Sequence, residues 1–86
     1  MVKAVIIAVR KDDNGVITHV KSQVWIDDKR KPDQELQKFM MIQNIKVFHW
    51  ECSVQDGTKV HIVDGRYLRT DGNDTKEDNL GELPTF

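Results

Sequence analysis

The sequence predicts a small α+β domain in the order β-β-α-β-β-β, with a mostly antiparallel sheet able to curl into a small barrel. Strand-like apolar runs alternate with Asn-Gly and Asp-Gly turn signals, and one stretch has helical spacing. The 86 residues are 38% hydrophobic and 31% charged, as in an ordinary globular chain. We therefore expect a single domain over residues 1–86.

The first two strands are expected to form a hairpin. Residues 2–10, "VKAVIIAVR", are apolar on both faces, which is typical of a central strand. Asn14-Gly15 tolerates the positive φ angles of a type I′ turn. Residues 16–26 then alternate between apolar and polar side chains, as a strand with one buried face does.

The turn sets the pairing of these two strands. If Asn14 and Gly15 are its only two residues, Val9 lies opposite Val20 and Val5 lies opposite Val24. The hydrophobic alternation agrees with this register.

A polar connection over residues 27–34 is expected to lead into the single helix. Pro32 can stand at the start of a helix but not inside it. Residues 35–44 have helical spacing, and Asn44 is a suitable left-handed cap. The predicted apolar stripe consists of Leu36, Phe39, Met40 and Gln43, widened by Met41 and Ile42.

A second hairpin is predicted around "QDG". A three-residue turn with a bulge at Gly57 pairs Cys52 with Val60 and Trp50 with Ile62. Apolar side chains then lie opposite apolar ones, and polar side chains opposite polar ones. A two-residue turn would place the cysteine opposite a histidine. The first register is therefore preferred, and a short strand over residues 66–70 completes the sheet.

Some apolar residues are expected to remain outside the hairpin core. Phe48 and Trp50 are assigned to the inward face, whereas Ile6, Trp25, Val47 and Val63 are assigned to the opposite one. One short helix cannot cover both faces, and a leftover apolar face commonly marks an interface.

The C-terminal region is acidic, although the formal net charge of the whole chain is only −1. We expect a body over residues 1–70, an acidic mobile loop over residues 71–78 and a docking segment over residues 79–86. Leu80, Leu83 and Phe86 recur every three residues in a strap that Pro84 stiffens. Burying these side chains would offset the entropy lost on ordering the segment.

The end of the chain also carries a resemblance. The motif Tyr67-Leu68-Arg69-Thr70, followed by Asp78-Asn79-Leu80-Gly81 and by Leu83-Pro84, resembles the ending of a family of short bacterial domains of unknown function. Members of that family also open with a hairpin that contains an "ITHV"-like run, here Ile17 to Val20. The resemblance implies a fold unit and a bacterial or phage source, and it implies no catalytic residue.

Metal, cofactor and nucleophile chemistry are not expected. The soft ligands are Cys52 and three histidines, and His49 and Cys52 face opposite ways if they share a strand. Cys52 is predicted to be a small buried side chain. We expect no cofactor, no metal and no catalytic residue.

The favoured function is a non-enzymatic interaction domain that binds a protein partner or itself as a homodimer. The alternative is single-stranded nucleic-acid binding through sheet aromatics beside lysine and arginine. A small enzyme or a ligand-binding protein is the third alternative, and an enzyme would have to use the polar cluster Glu51, His61, Tyr67 and Arg69. The candidate binding surface consists of Trp25, His49, His61, Tyr67 and Arg69.

The expected location is the cytoplasm, with no membrane contact. The apolar run over residues 4–9 is shorter than a signal h-region or a membrane span. The single cysteine cannot form an internal disulfide.

Overall fold

The computed structural model describes residues 1–72 and 74–86 and shows the order β-β-β-α-β-β-β. The elements are β1 (Val2–Lys11), β2 (Ile17–Ile26), β3 (Lys29–Gln37), α1 (Lys38–Lys46), β4 (Glu51–Val54), β5 (His61–Val63) and β6 (Tyr67–Arg69). One sheet has the strand order β3-β2-β1-β4, and β5 and β6 form a second. The predicted α+β class is confirmed with one strand more, and the strands of the described residues do not close into a barrel.

The first hairpin has a longer turn than predicted. Asp12 N–H donates to the Val16 carbonyl oxygen at 2.9 Å, so the loop holds three residues and ends in Gly15 with φ of 77°. Asp12 Oδ1 also accepts hydrogen bonds from Asn14 N and Val16 N. This is a type I turn closed by a glycine bulge rather than a type I′ turn.

The β1–β2 register agrees with the prediction near the turn and departs from it further along. Val9 pairs with Val20, but the predicted Val5–Val24 pair is wrong, because a β-bulge after Ile6 shifts the pairing by one residue. A bulge of one residue turns the following side chains to the other face. Ile6 is therefore fully buried in the core, against the prediction that it faces away.

Strand β3 replaces the predicted polar connection. Asp27 and Asp28 have φ angles of 51° and 65°, so they form a two-residue turn that folds the chain back onto β2. Pro32 lies near an irregularity of the β2–β3 ladder, on the edge strand of the sheet. Proline is tolerated at edges and bulges, where its missing N–H leaves no ladder bond unmade. The strand is polar because it is mostly exposed to water.

Helix α1 starts later than predicted and buries only part of the predicted stripe. It begins at Lys38, because residues 35–37 belong to β3, and it continues past Asn44 to Lys46. Met41 and Ile42 are buried as predicted, whereas Phe39, Met40 and Gln43 are exposed.

The second hairpin has the predicted register next to its turn only. Val60 N–H donates to the Cys52 carbonyl oxygen at 2.9 Å, and Gly57 has φ of 90° at the end of the three-residue loop. The predicted Trp50–Ile62 pair belongs to no ladder, because β4 begins at Glu51 and pairs parallel to β1, whereas Ile62 lies on β5, which pairs with β6. Phe48 precedes β4 in a loop and is exposed, so its predicted inward orientation is wrong.

The C-terminal strap, residues 79–86, pairs with β1 on the same side as β4 but nearer the end of β1. Pro84 O accepts a hydrogen bond from Val9 N at 2.9 Å, and Phe86 N–H donates to Val9 O at 3.1 Å. Asn79 N–H donates to Leu68 O at 2.8 Å, and Leu80 is buried in the core. The segment therefore makes backbone hydrogen bonds with β1 and with β6.

The predicted division of the chain at residues 70 and 78 stays a prediction. Asn73, in the loop expected to be mobile, lies outside the described residues. In the part of the chain that the structure describes, no helix is long and apolar enough to cross a membrane.

Candidate functional site

A buried ion pair anchors the start of α1. Lys38 Nζ lies 2.9 Å from Asp78 Oδ2, and the two side chains are only 6% and 4% exposed. Asp78 also accepts hydrogen bonds from Ile17 N at 3.2 Å and from Leu68 N at 3.0 Å. One carboxylate thus joins the C-terminal segment to β2, β6 and α1.

Two aromatic rings flank the ammonium group of this pair. Lys38 Nζ lies 5.7 Å from the centre of the Phe39 ring and 5.6 Å from the centre of the Tyr67 ring. Both distances are within the range of a cation–π contact. The aromatic faces therefore stabilise a charge that burial would otherwise disfavour.

An open cleft lies beside this pair, and we call it the helix-start cleft. Its volume is about 450 Å³. It forms where α1 begins against the hairpin end of β2 and the start of β6. Its lining includes Val16, His19, Lys38, Phe39, Arg66 and Tyr67.

The outer side of α1 is a second candidate surface, which we call the helix surface. It consists of Phe39, Met40, Val47 and Phe48, exposed to 63%, 50%, 57% and 62%. Phe39, Met40 and Val47 fall on one side of the helix by its 3.6-residue period, together with the uncharged Gln43. The opposite side is already packed in the core, so α1 is apolar on both sides.

A cross-strand row on the sheet is the third candidate surface. Lys3 pairs with Trp25, and Trp25 pairs with Arg30, so these three side chains stand side by side on neighbouring strands. Glu51 extends the row on β4. The helix and the second hairpin pack on the opposite face of the sheet, with the buried Ala4, Ile6 and Val20. We call this side the open face.

The five residues of the predicted binding surface do not form one site. Trp25 is half-buried on the open face, His49 is exposed in the loop after α1 with φ of 57°, and Tyr67 lines the helix-start cleft. His61 and Arg69 are partners in the β5–β6 ladder. Only this last pair was brought together by the fold.

Arg69 has a structural partner of its own. Its guanidinium donates two hydrogen bonds to the carboxylate of Asp71, at 2.8 and 2.7 Å, and a third to the Glu77 carbonyl oxygen. The hydrogen bonds to Asp71 raise the pKa of Arg69 above its ordinary value. This buried side chain therefore ties β6 to the acidic loop.

The leftover apolar face predicted from the sequence is not formed as expected. Ile6 and Val63 are buried in the core, so their assignment to that face is wrong. Val47 is exposed, but it belongs to the helix surface, and Trp25 belongs to the open face.

Sequence reasoning missed Lys38 and Asp78. Asp78 opens the Asp-Asn-Leu-Gly motif, and an acidic residue just before a buried leucine is a usable signal of a structural anchor. Lys38 interrupts an otherwise apolar helical stripe, which is the corresponding signal on the helix.

The soft ligands stay apart. Cys52 is buried as predicted, and burial raises the pKa of its thiol to about 12, so the nucleophilic thiolate is disfavoured. Within residues 1–72 and 74–86, no three histidine, cysteine or acidic side chains lie where they could hold a metal ion.

Comparison with known proteins identifies the family of the chain. Neither the curated proteins nor the solved structures include a match. A family model described as "Protein of unknown function (DUF3892)" matches residues 5–84. The match covers nearly the whole fold, from β1 to the proline of the strap, and the chain therefore belongs to the DUF3892 family.

Proposed function

We propose that this chain is a non-enzymatic interaction domain that binds a second copy of itself through the helix surface. The observation that carries the proposal is the exposure of Phe39, Met40 and Val47 on one side of a helix whose other side is already buried, with Phe48 exposed in the loop that follows. Contiguous exposed apolar patches on a folded domain commonly mark interaction sites.

A second copy is the partner that the helix surface favours. Phe39, Met40, Gln43 and Val47 carry no charge, and Lys46 is the charged residue that the helical period places beside them. Two copies related by a twofold axis would pack this patch against itself, as isologous dimers do.

The size of the patch sets the strength of the dimer. The four side chains expose on the order of 400 Å² together, given about 150–200 Å² for a large apolar side chain. A standard interface buries about 800 Å² on each partner. The dimer should therefore be weak, with a dissociation constant in the micromolar range or above.

Sedimentation velocity at increasing protein concentration tests the proposal. The wild-type sedimentation coefficient should rise with concentration, and Met40→Glu should remove the rise because it places a charge in the interface. Ile26→Glu is the matched control, since Ile26 is also an exposed apolar residue but lies at the end of β2. A wild-type chain that stays monomeric at about 1 mM would rule out the dimer.

Single-stranded nucleic-acid binding on the open face is the second candidate. It is supported by the row of Lys3, Trp25 and Arg30, which sets an aromatic ring between two cations on neighbouring strands. Bases stack on such rings while cations contact the phosphates.

Heteronuclear NMR titration with oligothymidylate tests this candidate. Binding should shift the Trp25 indole N–H, weaken as salt is added, and be lost in Trp25→Leu. The candidate binding surface predicted from the sequence also includes His49, Tyr67 and Arg69. Because these lie away from the row, shifts confined to them would contradict binding on the open face.

We also infer a bacterial or phage source and a cytoplasmic location. The Tyr-Leu-Arg-Thr and Asp-Asn-Leu-Gly motifs support the source, and the single buried cysteine supports a reducing compartment. Recovery of the untagged chain from the periplasmic fraction of a bacterial host would contradict the location.

A further inference from the structure

We infer that the helix-start cleft binds small organic anions that carry a flat apolar body. The cleft has a volume of about 450 Å³, within the range of about 300–1,000 Å³ that is usual for small-molecule sites. Its walls are mainly apolar, and its charged side chains are basic. This inference does not rest on the proposed self-association, although Phe39 belongs to both the cleft and the helix surface.

The aromatic walls of the cleft indicate that the ligand has an apolar part. Phe39 and Tyr67 flank the same ammonium group, so both rings border one space beside Lys38. Val16, which is also exposed, adds an aliphatic wall from the hairpin turn. Aromatic and aliphatic walls of this kind favour a flat ring system.

The basic side chains of the cleft indicate that the ligand is negatively charged. Asp78 neutralises Lys38 behind the cleft wall. Arg66 is exposed, and its guanidinium forms no ion pair or hydrogen bond with any residue that the structure describes. No lining side chain in the described part of the chain is acidic. The local charge is therefore positive and selects an anion.

His19 also lines the cleft, but its neutral ring gives an anion no donor. Thr18 Oγ1 donates to the Arg10 carbonyl oxygen at 3.2 Å, so it accepts a hydrogen bond from His19 Nδ1 at 2.9 Å, and Nε2 is left as an acceptor. Arg66, in the turn before β6, is therefore the side chain that binds a carboxylate, sulfonate or phosphate group.

Three matched probes separate the parts of the inference in an NMR titration. 1-Naphthoate carries both the ring system and the charge, 1-naphthalenemethanol carries the ring system alone, and acetate carries the charge alone. We expect 1-naphthoate to shift the signals of Thr18 and Tyr67 with a dissociation constant on the order of 1 mM, as suits a fragment of this size. The other two probes should bind more weakly.

Two variants assign the two parts of the ligand to residues. Arg66→Gln should weaken 1-naphthoate about tenfold and leave 1-naphthalenemethanol unchanged. Phe39→Ala should weaken both naphthyl probes by a similar factor, and its exposed position makes a folding defect unexpected. Arg30→Gln is the control, because Arg30 is an exposed arginine on the open face.

The titrations use the Met40→Glu background as well as the wild type, so that self-association and cleft binding are separated. The inference is overturned if the neutral naphthyl probe binds as tightly as the anion, or if Arg66→Gln leaves the affinity for 1-naphthoate unchanged. It is also overturned if the shifts map to the open face, or to Met40 and Val47 of the helix surface.

Discussion

Replacing Asp78 by asparagine probes the anchor that joins four parts of the fold. The carboxylate accepts hydrogen bonds from Lys38 and Ile17 at one oxygen and from Leu68 at the other. An asparagine side chain offers one oxygen, and its Nδ2 group is only a donor. In either orientation at least one buried N–H group then faces another donor, and Lys38 loses its counter-ion.

The expected cost follows from burial of the pair. Removing one partner of a buried ion pair costs about 3–5 kcal/mol, because the remaining charge is left without compensation. A domain of 86 residues has a stability on the order of 4–13 kcal/mol. At roughly 4–8 °C for each kcal/mol, the Tm should fall by about 12–40 °C.

Urea unfolding followed by tryptophan fluorescence measures this loss at constant pH. Asp13→Asn is the matched control, since Asp13 is an exposed aspartate in the first turn, and its change should stay within about 0.5 kcal/mol. The double variant Lys38→Met/Asp78→Asn should be less destabilised than the sum of the single variants, because no buried charge is left behind.

The reasoning would be refuted if Asp78→Asn lost less than about 1 kcal/mol with an unchanged m value. It would also be refuted if the double variant lost the full sum. Either result would mean that the buried charges are solvated in a way that their low exposure does not suggest.

Three further predictions concern the core and the strap. Leu80→Ala should cost about 2–5 kcal/mol in urea unfolding, since this side chain is buried; a loss below about 1 kcal/mol would show that the strap does not contribute to the core. Ser22→Ala should leave stability unchanged or raise it by about 1 kcal/mol, because the buried Oγ has no hydrogen-bond partner among the described residues, and a clear loss would reveal a partner. Burial raises the pKa of Cys52 from 9.0 to about 12, so above pH 9 the unfolded chain releases the thiol proton first. The free energy of unfolding should then fall by roughly 1.4 kcal/mol per pH unit more in wild type than in Cys52→Ala, and equal slopes between about pH 9 and about pH 10.5 would contradict this.

The two glycine turns show how far local rules reach. The turn at Gly57 has the predicted length of three residues and sets Cys52 opposite Val60. The turn at Gly15 is one residue longer than the Asn-Gly pair predicts. A bulge near Thr18 compensates for the longer turn, so that Val9 still faces Val20. Hydrophobic matching of the two faces is therefore the stronger constraint on register.

The candidate surfaces were harder to predict than the fold. Trp25 and Tyr67 were predicted to belong to one binding surface, but the fold separates them onto the open face and the helix-start cleft. Phe39 and Met40 were assigned to the core because helical spacing alone does not say which side faces the sheet. The missed strand β3 decided this, since it moved the start of the helix to Lys38.

By itself, the sequence determined the α+β class, the two glycine-ended hairpins, the buried cysteine and the apolar strap. Each of these depends on neighbours along the chain or on a single strand pair, where turn chemistry and alternation act over a few residues. Only the tertiary structure decided the bulge after Ile6, the exposed side of α1 and the Lys38–Asp78 pair. These depend on contacts between distant segments, whose energies compete with local preference and are not written in any one stretch of residues.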